Sequence, residues 1–260
     1  MPPTQDTFWP GRYQDQVGIL TGGDIALATA CQLVQEGARI YFCDISIERA
    51  QAAADQLNSL VPESAVAGQL DVTSEKQVAN YIDRVIADAG RADFVLNSAG
   101  ITDTDDMRAP IWELNMDQFR KRQEINLVGS AIVTKHASRV MIPRQYGRIV
   151  LVASNAAKEG NPTMSAYSAS KGGIVSFIKA TGRELHTHGI LINGFAPVII
   201  RTAMVEQMHP DDIAHLEGRI LMGRMGETDE AAYKLCHLLS KRNSFQTRFI
   251  EDMSGGRADF

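Results

Sequence analysis

A chain of 260 residues, 44% hydrophobic, 22% charged and 7% aromatic, has globular composition and enough length to bury a core unaided by disulfide or metal. Its three cysteines, Cys31, Cys43 and Cys236, form no Cys-x-x-Cys or Cys/His cluster, which argues against a disulfide scaffold and any metal site. The net charge of −5, with 26 basic residues scattered among 31 acidic ones, argues against a nucleic-acid partner; no basic leader or long apolar run suggests a membrane, so a soluble cytoplasmic protein is expected.

Met1 to Asp15, with three prolines and the aromatics Phe8 and Trp9 in no periodic pattern, reads as a surface tail ahead of one domain over 16–260. From Val17, short apolar runs alternate with segments of helical period. Strands are expected at Val17–Leu20, Ile40–Cys43, Val66–Leu70, Phe94–Leu96, Ile149–Val152, Ile190–Ile192 and Phe249–Ile250. Helices are expected at Leu27–Glu36, Ile47–Leu60, Ser74–Ala89, Asp117–Val140, Ser165–His186 and Asp229–Leu239. Pro197 to Gly226 is irregular, and its methionines 204, 208, 222 and 225 read as core filler or pocket wall. Strict alternation predicts an α/β fold, a doubly wound parallel sheet of about seven strands with helices on both faces.

Thr21-Gly22-Gly23 joins the first strand to a helix, and Asp44 closes the second strand about twenty residues later. Glycines there let a pyrophosphate approach the backbone, helix N–H groups face it, and the acid accepts from adenosine ribose hydroxyls. A carboxylate at that point repels a 2′-phosphate, which favours NAD over NADP. Farther on, Ser154 ends a strand, and Tyr167 and Lys171 stand four apart on one helix face. The ammonium favours phenolate, so Tyr167 suits proton exchange near neutral pH, with Ser154 beside it to hold a substrate oxygen.

These features extend to Asp71-Val72, Asn97-Ser98-Ala99-Gly100, Asn126 in Ile-Asn-Leu-Val-Gly, Tyr-Ser-Ala-Ser-Lys from Tyr167, and Asn193-Gly194-Phe195-Ala196-Pro197. In this order the chain resembles the short-chain dehydrogenase/reductases from about Gln16 to Gly256. The resemblance implies a Rossmann-type fold and NAD-dependent interconversion of a secondary alcohol and a ketone. Tyr167 becomes the acid/base, Lys171 its partner and a nicotinamide-ribose ligand, Ser154 the substrate-orienting hydroxyl, and Asn126 the holder of a water that links Lys171 to solvent. Thr21, Gly22, Gly23, Asp44, Asp71, Val72, Asn97, Ala99, Gly100, Pro197 and Thr202 become the cofactor lining. A homotetramer built through the two long helices is also implied.

The chain departs from the family pattern at its first loop, two residues short, with Asp24 and Ala26 in place of glycines; Asp24 is expected to cap the helix and oppose a phosphate. Ser98, Val198 and Arg248 are further departures. They open a second reading, a diverged member that has lost the nicotinamide cofactor and acts as a non-redox enzyme or an assembly subunit. The segment after Ser154 resembles members acting on polyols, sugars and sugar acids. Asn155, Glu159 and Asn161 are candidate hydroxyl ligands, and Arg201 a candidate carboxylate ligand.

Overall fold

Each apolar run becomes a strand. The computed structural model describes residues 9–102, 109–206 and 210–258. Its seven strands, all parallel, are β1 (Val17–Thr21), β2 (Arg39–Asp44), β3 (Ala65–Gln69), β4 (Phe94–Asn97), β5 (Gly147–Val152), β6 (Ile190–Pro197) and β7 (Ile250–Met253), in the order β3-β2-β1-β4-β5-β6-β7. The side-chain period of two sorts the central strands between two cores. Ile19, Val95, Ile149 and Leu151 face one; Leu20, Leu96 and Val150 face the other.

Helices α1 (Gly23–Gln35), α2 (Ile47–Leu60) and α10 (Thr228–Leu239) cover the second face, and α3 (Glu75–Ala89), α5 (Gly129–Met141) and α7 (Ser165–Leu185) the first. Ser46 and Ser74 cap α2 and α3 through their hydroxyls, so both helices start as the sequence implies. The expected helix from Asp117 to Val140 is three pieces: α4 (Met116–Arg122), a π-turn over Gln123–Val128, and α5. Apolar periodicity cannot show such a turn, because it inserts a residue without breaking the helical rod. Within Pro197 to Gly226 lie two short helices, α8 (Ala203–Glu206) and α9 (Pro210–Glu217). Met225 is core and Met222 is exposed; Met208 and the Met204 side chain lie outside the described residues.

The expected surface tail needs correction at its end. Tyr13 is fully buried, edge-on to Phe94 with ring centroids 5.4 Å apart, and its hydroxyl donates to the Cys236 carbonyl. The buried Glu36 accepts from Arg12 Nη2 (2.8 Å), Gln32 Nε2 (3.0 Å) and the Trp9 N–H (3.3 Å), and the Arg242 guanidinium stacks 3.7 Å from the Trp9 ring. Residues 9–15 thus staple α1 to α10, while Met1 to Phe8 lie outside the described residues. No helix among the described residues is long and apolar enough to cross a membrane.

β1 pairs with β2 on one side and β4 on the other, so the chain reverses its winding at β1. In sheets of this kind the ligand crevice lies beyond the carboxyl ends of the strands at such a reversal.

Candidate functional site

Ser154 lies just beyond β5, where neighbouring backbone bonds from Ala153 N–H to the Phe195 carbonyl (2.7 Å) and from Asn155 N–H to the Pro197 carbonyl (3.0 Å) fix it against β6. Its Oγ accepts the Ala156 N–H (3.1 Å) and starts α6 (Ala156–Glu159). One turn apart on α7, Tyr167 and Lys171 face the same way, with Lys171 Nζ 5.8 Å from the phenol ring centroid. Lys171 Nζ donates to the Val152 carbonyl (2.7 Å), and burial pushes its ammonium down to about 8.

Asn126 lies in the π-turn. Its Oδ1 accepts the Ile101 N–H (2.8 Å), and its Nδ2 donates to the Ile101 carbonyl (2.9 Å) and Ser170 Oγ (3.0 Å). A Cβ at Gly100 would come within 3.1 Å of Asn126 Oδ1 and 3.4 Å of Lys171 Nζ, so glycine keeps the space before both groups open. The structure therefore brings Asn126, which only the family resemblance pointed to, to the same space as the helical pair Tyr167 and Lys171.

The lowered Lys171 value carries a stability consequence. Between pH 8 and 10.5 the folded chain holds this proton less tightly than the unfolded one, so stability rises with pH across that window and the full cost applies below it. Lys171→Met removes a cost of about 3 kcal/mol at pH 7 and loses a hydrogen bond worth about 1. Its melting temperature should exceed the wild type's at pH 7 and converge on it near pH 10; a variant less stable at pH 7 overturns this.

At the other end of the crevice, Thr21 Oγ1 donates to Asn97 Oδ1 (2.5 Å) and accepts the Ser98 (3.2 Å) and Ala99 (3.1 Å) N–H groups, which locks the ends of β1 and β4 together. Asn97 Nδ2 then reaches Ser130 Oγ (2.9 Å). Asp44 Oδ1 accepts the Ser46 N–H (2.9 Å) and Arg49 Nη2 (2.5 Å), whereas Oδ2 takes no partner among the described residues. Asp71 Oδ1 accepts Thr73 N–H (2.9 Å) and Oγ1 (2.7 Å), and the Val72 side chain is core, packed over Gly129. Thr202 Oγ1 accepts the Val205 N–H (3.4 Å) inside α8.

Several residues expected to meet substrate are committed elsewhere. Asn155 is buried and donates to Glu159 Oε1 (2.9 Å). Glu159 in turn binds Arg257 (Nη2, 2.8 Å) and Arg219 (Nη2, 3.3 Å), and Asn161 Oδ1 faces the same two guanidinium groups. Arg201, expected to meet a carboxylate, meets that of Glu227 (3.2 Å). Arg219 and Arg257 are thus site-rim residues that sequence reasoning missed, because no spacing rule links them to Glu159. On the same rim, the Ala109 N–H donates to the Thr163 carbonyl (3.3 Å), and Trp112 in the following turn is 81% exposed.

A family model described as enoyl-(acyl carrier protein) reductase matches residues 18–256. A 2-dehydro-3-deoxy-L-rhamnonate dehydrogenase (NAD(+)) from a Sphingomonas species is 34% identical over 256 residues, covering 98% of this chain and 100% of the relative. The chain belongs to the short-chain dehydrogenase/reductase family. A 3-oxoacyl-(acyl carrier protein) reductase from Thermotoga maritima is 31% identical, over 94% of this chain and 98% of its own. The crystal structure of an NAD+-bound xylitol dehydrogenase superposes with a TM-score of 0.88 at 31% identity, covering 94% of this chain and 99% of that one.

As a short-chain dehydrogenase/reductase, the protein is an oxidoreductase. Helix α1 begins at Gly23, four residues ahead of Leu27, and its cap is Gly22 at φ 57°, which makes no side-chain capping bond. This corrects the expectation that Asp24 caps the helix. Asp24 is its second residue, and Oδ2 instead accepts the Ala203 N–H (2.8 Å) at the start of α8. The first-turn N–H groups of α1 have no intrahelical acceptor, and the Asp24 carboxylate lies in the same turn. Arg248, where the family resemblance leads one to expect glycine, has a φ of 65° and donates from Nε to the Lys179 carbonyl (2.9 Å).

Proposed function

We propose that the protein uses NAD to interconvert a secondary alcohol and a ketone on a small polar substrate, a sugar acid or polyol. The observation that carries this reading is the buried Lys171 beside Tyr167, with the space before it kept open by Gly100. The residues fit a dinucleotide. Asp44 Oδ2 has no partner among the described residues and offers an acceptor for ribose hydroxyls, α1 offers N–H groups, and a side chain at Gly100 would fill the cradle. The Sphingomonas relative named for NAD(+) and the NAD+-bound xylitol dehydrogenase support the cofactor; the sugar acid and polyol in their names support the substrate class.

NAD supplies the hydride acceptor when bound. Tyr167 takes the hydroxyl proton of the alcohol, and the Lys171 ammonium favours the resulting phenol–phenolate exchange. Ser154 holds the substrate oxygen beside the phenol. Asn126 fixes the Ile101 backbone and Ser170, and so fixes the wall behind Lys171. Thr202, Pro197 and the Asn97 to Gly100 segment line the cofactor side of the crevice.

Calorimetric titration tests the cofactor assignment. NADH should bind at least about tenfold more tightly than NADPH, because a 2′-phosphate beside Asp44 places two anions together. Equal or tighter NADPH binding overturns it.

The same reading assigns four chains to the assembly. Between α5 and α7 runs a groove in which Val128, Ala131, Ile132, Phe177 and Leu185 are flanked by the charged Glu75, Lys135 and Glu184, an apolar strip with a polar rim suited to a second copy. Light scattering at micromolar concentration should return the mass of a tetramer; a monomer refutes this assembly.

A further inference from the structure

The rim holds a charge cluster that proton transfer does not use. Arg257 grips Glu159 with Nε (3.0 Å) and Nη2 (2.8 Å), and Arg219 approaches the same carboxylate (3.3 Å) and Asn161 Oδ1 (3.5 Å) from the segment after α9. Two guanidinium groups against one carboxylate leave one positive charge in excess. Among nearby charges, Lys158 pairs with Asp252, Arg224 with Glu230, and the Glu217 carboxylate is turned to the Met225 N–H.

The two arginines differ in how firmly they are held. The Arg257 side chain is 8% exposed with short bonds, which makes it part of the frame. The Arg219 side chain is 41% exposed, and its contacts lie at the long limit for hydrogen bonds, so most of its five donors stay available. The cluster also hangs between the two reactive segments. Glu159 is bonded to Asn155, next to Ser154, and the Asn161 N–H donates to Ser168 Oγ (3.4 Å), next to Tyr167.

We propose that Arg219, framed by Arg257, Glu159 and Asn161, is the subsite that takes the carboxylate of the substrate, which makes the protein selective for sugar acids over neutral polyols. This rests on the dehydrogenase reading above. A planar guanidinium with spare donors and excess positive charge matches a carboxylate, whereas a neutral polyol gains nothing from the charge.

The test uses pentonates and hexonates alongside the alditols of the same carbon skeleton. Wild type should favour the acids. Arg219→Ala should lower the ratio of kcat/KM for acid over alditol about 10- to 100-fold, mostly through KM, with partial recovery in Arg219→Lys. An unchanged ratio overturns the subsite. Calorimetric binding of the acids, read without turnover, should weaken in the same order. A wild type that oxidises alditols yet binds no acid overturns the subsite and leaves the redox function standing. Acid binding that depends on Arg219, in a protein that turns nothing over with NAD, overturns the redox function and leaves the subsite standing; neither binding nor turnover overturns both.

Discussion

Tyr167→Phe should lower kcat by about 1000-fold or more, with the melting temperature almost unchanged. The substitution removes one hydroxyl from a half-buried position on α7 and no volume from either core. Ser154 and Lys171 keep their own anchors, on the Ala156 N–H and the Val152 carbonyl, so the pocket stays assembled. The loss should fall on kcat and kcat/KM alike, as for a group whose main interaction forms in the transition state. Wild-type turnover by this variant, measured as NADH formation, excludes Tyr167 as the proton acceptor.

The second large effect concerns the first loop. Lengthening it to Thr-Gly-Gly-x-x-Gly-Ile-Gly should tighten NADH binding by about 10- to 100-fold in a calorimetric titration, the gain from a charge-assisted hydrogen bond or two. The change removes the Asp24 carboxylate from the first turn of α1, where it stands beside the N–H groups that would hold a pyrophosphate. It also releases Ala203, so part of the gain is offset by a looser α8. Asp24→Asn, which removes the charge and keeps the loop length, separates repulsion from geometry. Unchanged or weaker binding in the lengthened chain shows that the short loop is not the weak point of the site. Absence of NADH binding in both chains favours the reading in which the cofactor has been lost.

The layered architecture was legible because its signals are local. Runs such as Ile149–Val152 need no context to be read as strands, and α2 starts and stops where the apolar period puts it. Tyr167 and Lys171 were legible for the same reason, four residues being one helical turn. Contacts between distant segments left no such mark. Tyr13 reaches Cys236 across the fold, Asp24 reaches Ala203, and Arg257 reaches Glu159. Each is set by tertiary packing, so residues that read as a tail, a cap and a substrate ligand serve as a staple, a loop tie and an anchor for arginines. The π-turn at Asn126 was invisible because the apolar stripe continues on either side of it.

The chain's two indoles occupy unlike surroundings, and neither belongs to a core. Trp9 lies under the Arg242 cation at the α1–α10 staple, and Trp112 stands almost bare in water beside the loop that leads to Tyr167. Intrinsic emission is therefore a poor gauge of global unfolding but a local gauge of the crevice mouth. A ligand seated against the Trp112 indole takes it out of solvent and moves its emission to the blue, while Trp9 supplies a steady background. The molecule thus carries its own optical reporter of occupancy beside Thr163, with no label attached.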